Sequence, residues 1–281
     1  MSIHKTFWLL ACAGFWAQTY SAATVRADNL PHDQTLLALG DSIAFGYDPT
    51  GDFVDASNFK GYPERFKSEY AVDNASCPGE TTGSFMMANA PDNGCKAYRT
   101  AYPLHVSYGS APTQLAYAID RLSNQDPEHP VTLVTLNLSA NDLFLLQKQC
   151  AMDPANYQTC FSNGLPAVIT AVAQNLTAIL STIRNTAGYQ GPIVFMNLYT
   201  ADYTDETAKA VVGAVNSPAV QVAQAFGAKI ADAFGAFYAA ANGGAACDAG
   251  LLIKLADGTC DVHPSNKGDK VLAQAIANAL L

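Results

Sequence analysis

Short apolar runs alternate with longer stretches of helical period along this chain, and that alternation restricts it to an α/β architecture built on a parallel sheet. The strand candidates are residues 35–39, 70–74, 131–138, 192–198 and 228–231. Between the later strands, residues 166–184 place Val168, Ile169, Val172, Leu176, Ile179, Leu180 and Ile183 on one helical face. Ser217-Pro218 reads as an N-cap followed by Pro at the first helical position, opening a helix that ends at Phe226. Leu272, Ile276 and Leu280, spaced i, i+4, i+8, mark a last helix. No repeat, low-complexity tract or linker divides the chain, so one domain is expected over 24–281. Stretches 85–111 and 145–165 lack a clear period and are expected as long loops, the usual walls or lids of a site. Their aromatic residues Phe85, Tyr98, Tyr102, Tyr108, Tyr157 and Phe161 would either pack those loops or meet a ligand.

Residues 1–23 have the layout of an export signal: Lys5, an apolar run from Phe7 to Ala17, then the small residues Ser21-Ala22-Ala23. The run is too short to span a bilayer as a mature helix. Cleavage after Ala22 or Ala27 is a near alternative, and Leu9-Leu10-Ala11-Cys12 loosely resembles a lipidation site with too short an apolar lead. Removing the segment leaves Cys77, Cys95, Cys150, Cys160, Cys247 and Cys260. An even set in an exported chain favours disulfides, and nearest-neighbour pairing 77–95, 150–160 and 247–260 would bracket three polar or Gly-rich loops. A metal cluster would need a C-x-x-C pair or a His at ligand spacing, which the sequence lacks. The protein is expected outside the cytoplasm, secreted or periplasmic. With 15 Lys+Arg against 24 Asp+Glu the net charge is −9, a surface that repels phosphate backbones and argues against nucleic acid.

In parallel α/β sheets the reactive groups gather at the carboxyl ends of the strands. Four such points follow in order: Gly40-Asp41-Ser42; the turn from Asn74 through Gly79 to Thr82; Ser139-Ala140-Asn141-Asp142; and Cys260-Asp261-Val262-His263-Pro264 ahead of the last helix. A Ser that opens a helix there presents its hydroxyl and its own N–H to the crevice. A Gly allows close approach of a backbone N–H, and an Asn adds an amide donor. Three converging donors form an oxyanion hole, and His263 is the histidine placed to take the Ser42 proton and return it to a leaving group. His4, His32, His105 and His129 fall in the leader, before a strand or in mid-loop. Singly, each motif also reads as an ordinary cap, turn or loop end.

Together, in this order, they resemble the SGNH or GDSL hydrolase family, whose conserved blocks supply Ser, Gly, Asn and His. The blocks here are Leu37-Ala38-Leu39-Gly40-Asp41-Ser42-Ile43, Gly79, Asn141 and His263-Pro264, and they span residues 37–264. The cysteine pattern is similar to that of the secreted bacterial esterase and lipase branch. The resemblance implies a three-layer α/β/α sandwich around a five-stranded parallel sheet and ester hydrolysis through an acyl-serine, without metal or organic cofactor. It implies Ser42 as nucleophile, His263 as base and then acid, and Ser42, Gly79 and Asn141 as oxyanion donors. A monomer acting on a small-molecule, lipid or polysaccharide ester, without stable membrane insertion, is expected. Three departures stand out: Ile43 for the usual Leu, Ser139 for the usual Gly, and Cys260 where the family commonly places Asp three residues before His. Either Asp261 or the Cys260 carbonyl is therefore left to orient His263.

The same residues could serve other chemistries. The G-x-S-x-G elbow of α/β-hydrolases is absent from the sequence. A metal-dependent phosphoesterase could draw on Asp41, Asn141, Asp142 and His263, but it needs more ligands at strand ends than the sequence offers. A non-catalytic binding module is disfavoured by the joint retention of Ser42 and His263. Nothing in the loops selects one acyl or alcohol group, although their aromatics favour an apolar acyl chain.

Overall fold

A computed structural model describes residues 33–281; the proposed leader 1–23, with Cys12, lies outside the described residues. Five strands, β1 (Thr35–Gly40), β2 (Ala71–Asn74), β3 (Val131–Asn137), β4 (Ile193–Met196) and β5 (Lys229–Ala231), form one parallel sheet in the order β2-β1-β3-β4-β5. β1 is buried along its whole length, as befits a central strand covered on both faces, which is why it reads as an unbroken apolar run. The chain leaves β1 for β2 on one side and returns to β3 on the other. A crevice therefore opens at the carboxyl ends of β1 and β3, where Gly40 pairs with Asn137.

Nine helices are described: α1 (Ser42–Phe45), α2 (Thr82–Met86), α3 (Cys95–Ala101), α4 (Gln114–Ser123), α5 (Ala140–Ala151), α6 (Tyr157–Ser181), α7 (Glu206–Ala225), α8 (Ala233–Ala240) and α9 (Asn266–Leu280). Strand alternation sends Leu37, Leu39, Val134, Leu136, Ile193 and Phe195 to one face, against Leu115 of α4, Leu176 of α6 and Val215 of α7. Leu36, Ala38, Leu133, Val194 and Met196 face the other way, against Phe237 of α8 and Leu272 and Ile276 of α9. Helices on both faces make the three-layer α/β/α sandwich.

The structure departs from the sequence pattern in four places. Ser217-Pro218 does not open a helix; Pro218 lies inside α7, which Asp205 caps through Thr207 N and Ala208 N. Burial of Val215, Ala219 and Ala223, with Asn216 bonded to both Leu198 N (2.9 Å) and Leu198 O (2.8 Å), offsets the ~3 kcal/mol a mid-helix Pro costs. Stretch 145–165 is not a loop: it holds the end of α5, a 3₁₀ turn at Pro154–Asn156 and the start of α6, folded back on α5 and joined to it by Cys150–Cys160. Gly164 and exposed Pro166 look like breakers but sit within α6, whose buried stripe Val172, Leu176, Ile179 and Leu180 holds the helix to the core. Stretch 85–111 likewise contains α3. Finally, β6 (Leu252–Lys254) and β7 (Cys260–Pro264) form a small antiparallel hairpin, so His263 rides on a strand outside the main sheet.

Candidate active site

Ser42 is the first residue of α1, directly beyond the carboxyl end of β1. Asp41 caps that helix: its Oδ1 accepts from Ile43 N at 3.0 Å and from Asn137 Nδ2 at 2.8 Å. The cap places a helix N-terminus, with its free N–H groups, at the crevice. Burial raises the Asp41 carboxyl to about 6, against the lowering effect of those two hydrogen bonds and of His263. Gly40 is gripped by the amide of buried Gln114, whose Oε1 accepts from Gly40 N at 2.6 Å and whose Nε2 donates to Gly40 O at 2.9 Å.

Gly79 sits in the turn after β2 at φ +84°, and a Cβ there would lie 2.7 Å from Asn93 O. Only Gly meets both demands. Asn93 N donates to Gly79 O at 2.8 Å, and Cys77–Cys95 closes the same loop. The conformation leaves the Gly79 backbone among the walls of the crevice.

Asn141 stands in the first turn of α5. Its Oδ1 accepts from Asn93 Nδ2 at 2.8 Å and its Nδ2 donates to Glu80 O at 3.0 Å. An amide has two N–H groups, so this orientation leaves the second for the cavity. The helix is entered through Ser139 at φ 107°, where the family's usual Gly would meet no steric penalty. The turn that presents Asn141 is thus kept despite the substitution. Neighbouring Asp142 turns inward, accepting from Thr82 N (3.0 Å) and Thr82 Oγ1 (2.7 Å).

His263 and Asp261 lie two apart on β7, and the period of a strand puts both side chains on one face. Asp261 Oδ1 meets His263 Nδ1 and also accepts from His263 N at 2.9 Å. The hydrogen bond from the imidazole, outweighing partial burial, holds the Asp261 carboxyl below its ordinary range. A spacing of two residues suffices for this contact because both lie on an extended strand. β7 is anchored by Cys247–Cys260 and by Tyr199 OH, which donates to Val262 O at 2.7 Å. The Tyr47 ring lies 4.8 Å from the His263 ring.

These blocks meet. Ser42, Gly79, Asn141 and His263 all line one cavity of about 610 Å³, with Tyr47, Tyr98 and Tyr102 along it. Ser42 and His263 also border a second cavity of about 450 Å³ with Leu143, Phe144, Phe161 and Val212 in its wall. Of the loop aromatics, Tyr98 and Tyr102 reach the first space and Tyr157 and Phe161 the second, while Phe85 and Tyr108 are core. Tyr47, Asn93 and Gln114 were not anticipated from the sequence. Gln114 is 74 positions from the Gly40 it holds, and no local pattern reports such a contact. The carboxylates of Asp41 and Asp142 point into the fold rather than into either cavity, which removes two of the ligands a metal-dependent phosphoesterase would require. Cys77, Glu80 and Cys95 come close enough to suggest a metal triad, but the two sulfurs are bonded to each other.

A family model described as GDSL-like Lipase/Acylhydrolase matches residues 38–271. No curated protein matches the sequence. Among solved structures, the chain is similar to the lipase Lip_vut3 from a goat rumen metagenome, at TM-score 0.55 and 17% identity over 88% of this chain and 97% of that one. It is also similar to a variant of Axe2, an acetyl xylan esterase from Geobacillus stearothermophilus, at TM-score 0.52 and 15% identity over 89% and 96%. A third likeness is to LAE5, an alpha/beta hydrolase from the metagenome of Lake Arreo in Spain, at TM-score 0.53 and 15% identity over 89% and 96%. At such identities the structures speak for the fold alone, while the family match, which covers every block around the crevice, speaks for the chemistry. The chain belongs to the GDSL-like lipase/acylhydrolase family and is a carboxylic ester hydrolase.

Proposed function

We propose that the protein is an exported serine esterase that cleaves carboxylic esters through an acyl-serine. The reading is carried by one observation: Ser42, Gly79, Asn141 and His263 border a single cavity, with a carboxylate held against His263 Nδ1. With Nδ1–H donated to Asp261, the other ring nitrogen is free to accept a proton. Ser42 Oγ attacks the ester carbonyl carbon and His263 takes the hydroxyl proton. Charge that develops on the carbonyl oxygen is met by the Ser42 and Gly79 N–H groups and the Asn141 amide. Collapse breaks the acyl–oxygen bond, and His263 gives its proton to the departing alcohol. Water, deprotonated by the same imidazole, then releases the acid and restores Ser42.

The smaller cavity, with its wall of Leu143, Phe144, Phe161, Leu198, Val211 and Val212, suits an aliphatic acyl chain. The tyrosine-lined cavity then receives the alcohol portion. Export rests on the N-terminal residues and on three disulfides, which persist outside the reducing cytoplasm.

A fluorophosphonate should label the folded protein and fail to label Ser42→Ala; absence of labelling on the native enzyme would sink the serine mechanism. Hydrolysis of p-nitrophenyl esters from acetate to palmitate, beside acetylated xylan and lysophospholipid, assigns the acyl group. A rate maximum at acetate would move the reading to a carbohydrate O-acetyl esterase.

A further inference from the structure

We propose that Glu80 is a positioning residue that aligns the oxyanion-binding groups on one another, an inference that rests on the serine esterase reading above. Three pieces of chain must agree in place for Ser42 N, Gly79 N and the Asn141 amide to meet one oxygen; Glu80 touches the second and third directly and reaches the first through Gln114. Its backbone follows directly on Gly79. Its carbonyl accepts from Asn141 Nδ2 at 3.0 Å. Its Oε2 accepts from Gln114 Nε2 at 3.2 Å, and that same amide holds both polar groups of Gly40, two residues before Ser42. Its Oε1 meets Ser84 Oγ, which forms a capping box with Thr81 at the start of α2. Thr82, beside that cap, is tied to Asp142 on α5, so the loop is fastened from both flanks.

Glu80 is 2% exposed and borders neither cavity, so it acts through its neighbours and not on the substrate. The Gln114 amide is fully committed: one acceptor and two N–H groups, each with a partner. Removing the Glu80 carboxyl strands one buried N–H and frees the clamp to shift. Burial raises the Glu80 carboxyl to about 7, above the lowering effect of Ser84, Gln114 and Arg99, with Asp92 adding to the rise. A neutral Gln in its place can still accept from Gln114 and donate to Ser84 Oγ.

Glu80→Ala and Glu80→Gln are compared with the native enzyme on a soluble p-nitrophenyl ester, with a boronic acid as the tetrahedral adduct former. Ala should lower kcat between roughly tenfold and a hundredfold with KM within about twofold, below the 10²–10³ typical of deleting a donor outright. Affinity for the boronate should fall by the same factor as kcat, and Gln should restore most of both. Should Glu80→Ala not fold, Glu80→Asp retracts the carboxylate from Gln114 and is expected to repeat the Ala pattern. Unchanged kcat in the folded Ala or Asp protein, a loss confined to KM, or a Gln as impaired as Ala would overturn the proposal. Ser42→Ala runs alongside: if it still hydrolyses the ester, the serine reading falls and takes this one with it. If it is inert while Glu80→Ala behaves as native, only the role of Glu80 is lost.

Discussion

Ser139 is the place where the chain departs from its family at a backbone conformation, and the departure costs stability. Its φ of 107° with ψ of −18° is reached without strain only by Gly; for an L-residue it costs roughly 1–2 kcal/mol. The residue is 1% exposed, and its Oγ finds no hydrogen-bond partner among the described residues. A buried unpaired hydroxyl costs about 1–3 kcal/mol. Ser139→Gly removes both penalties and adds about 0.4–1 kcal/mol of unfolded-chain entropy in opposition. The net expectation is a gain of about 2 kcal/mol, which for a domain of this size raises Tm by roughly 4–8 °C. Ser139→Ala serves as the control: it deletes the hydroxyl and keeps the Cβ, so it should gain less than Gly by the strain component less the entropy that Gly adds to the unfolded chain. Urea unfolding with the disulfides intact, read as a change in Cm at constant m, measures both. A Gly variant that unfolds at or below the native Cm refutes the argument from strain. The turn still presents Asn141, so kcat/KM of Ser139→Gly should stay within about threefold of native.

If Asp261, and not the Cys260 carbonyl, orients His263, Asp261→Asn should lower kcat roughly 10³–10⁴-fold, approaching His263→Ala; a loss near tenfold would point to the carbonyl. Gly79→Ala brings a Cβ to 2.7 Å from Asn93 O at φ +84°, and should destabilise by about 2–4 kcal/mol and depress kcat, seen by urea titration and steady-state kinetics. Asp269 on α9 is raised by burial to about 8, with Arg65 opposing and Glu64 reinforcing. Its folded pKa lies above its unfolded one, so its contribution is greatest below pH ~4 and is lost as pH climbs toward 8, at up to ~1.4 kcal/mol per pH unit. Asp269→Asn should therefore flatten that decline, with Cm measured at pH 4, 6 and 8; an unaltered slope would show that the decline arises elsewhere.

What the residues alone determine is whatever repeats locally or stays close in sequence. β1 and β3 are legible because a strand covered on both faces must be continuously apolar, and α9 because one face of a surface helix must be. The disulfide partners are neighbours in the chain, 18, 10 and 13 residues apart, the pairing expected from the loops they bracket, but six cysteines allow fifteen connectivities and only the fold selects one. Ser42, Gly79 and Asn141 could be named from short motifs at predicted strand ends, since a parallel sheet sends those ends to one edge; His263 was legible from its motif ahead of α9, although it rides on a hairpin outside that sheet. Tertiary structure decided the rest. Pro218 and Pro166 are breakers by local preference, yet burial of the stripes around them outweighs a penalty of a few kcal/mol. Asp261 meets His263 because β7 is extended, a conformation set by pairing with β6 and by the Cys247–Cys260 link. Gln114 grips Gly40, and Glu80 draws Gly79, Gln114 and Asn141 together, through contacts across 34 to 74 positions of sequence. A hydrogen bond of that kind leaves no periodic trace, because it depends on where the folded sheet brings two side chains and not on what lies beside either one.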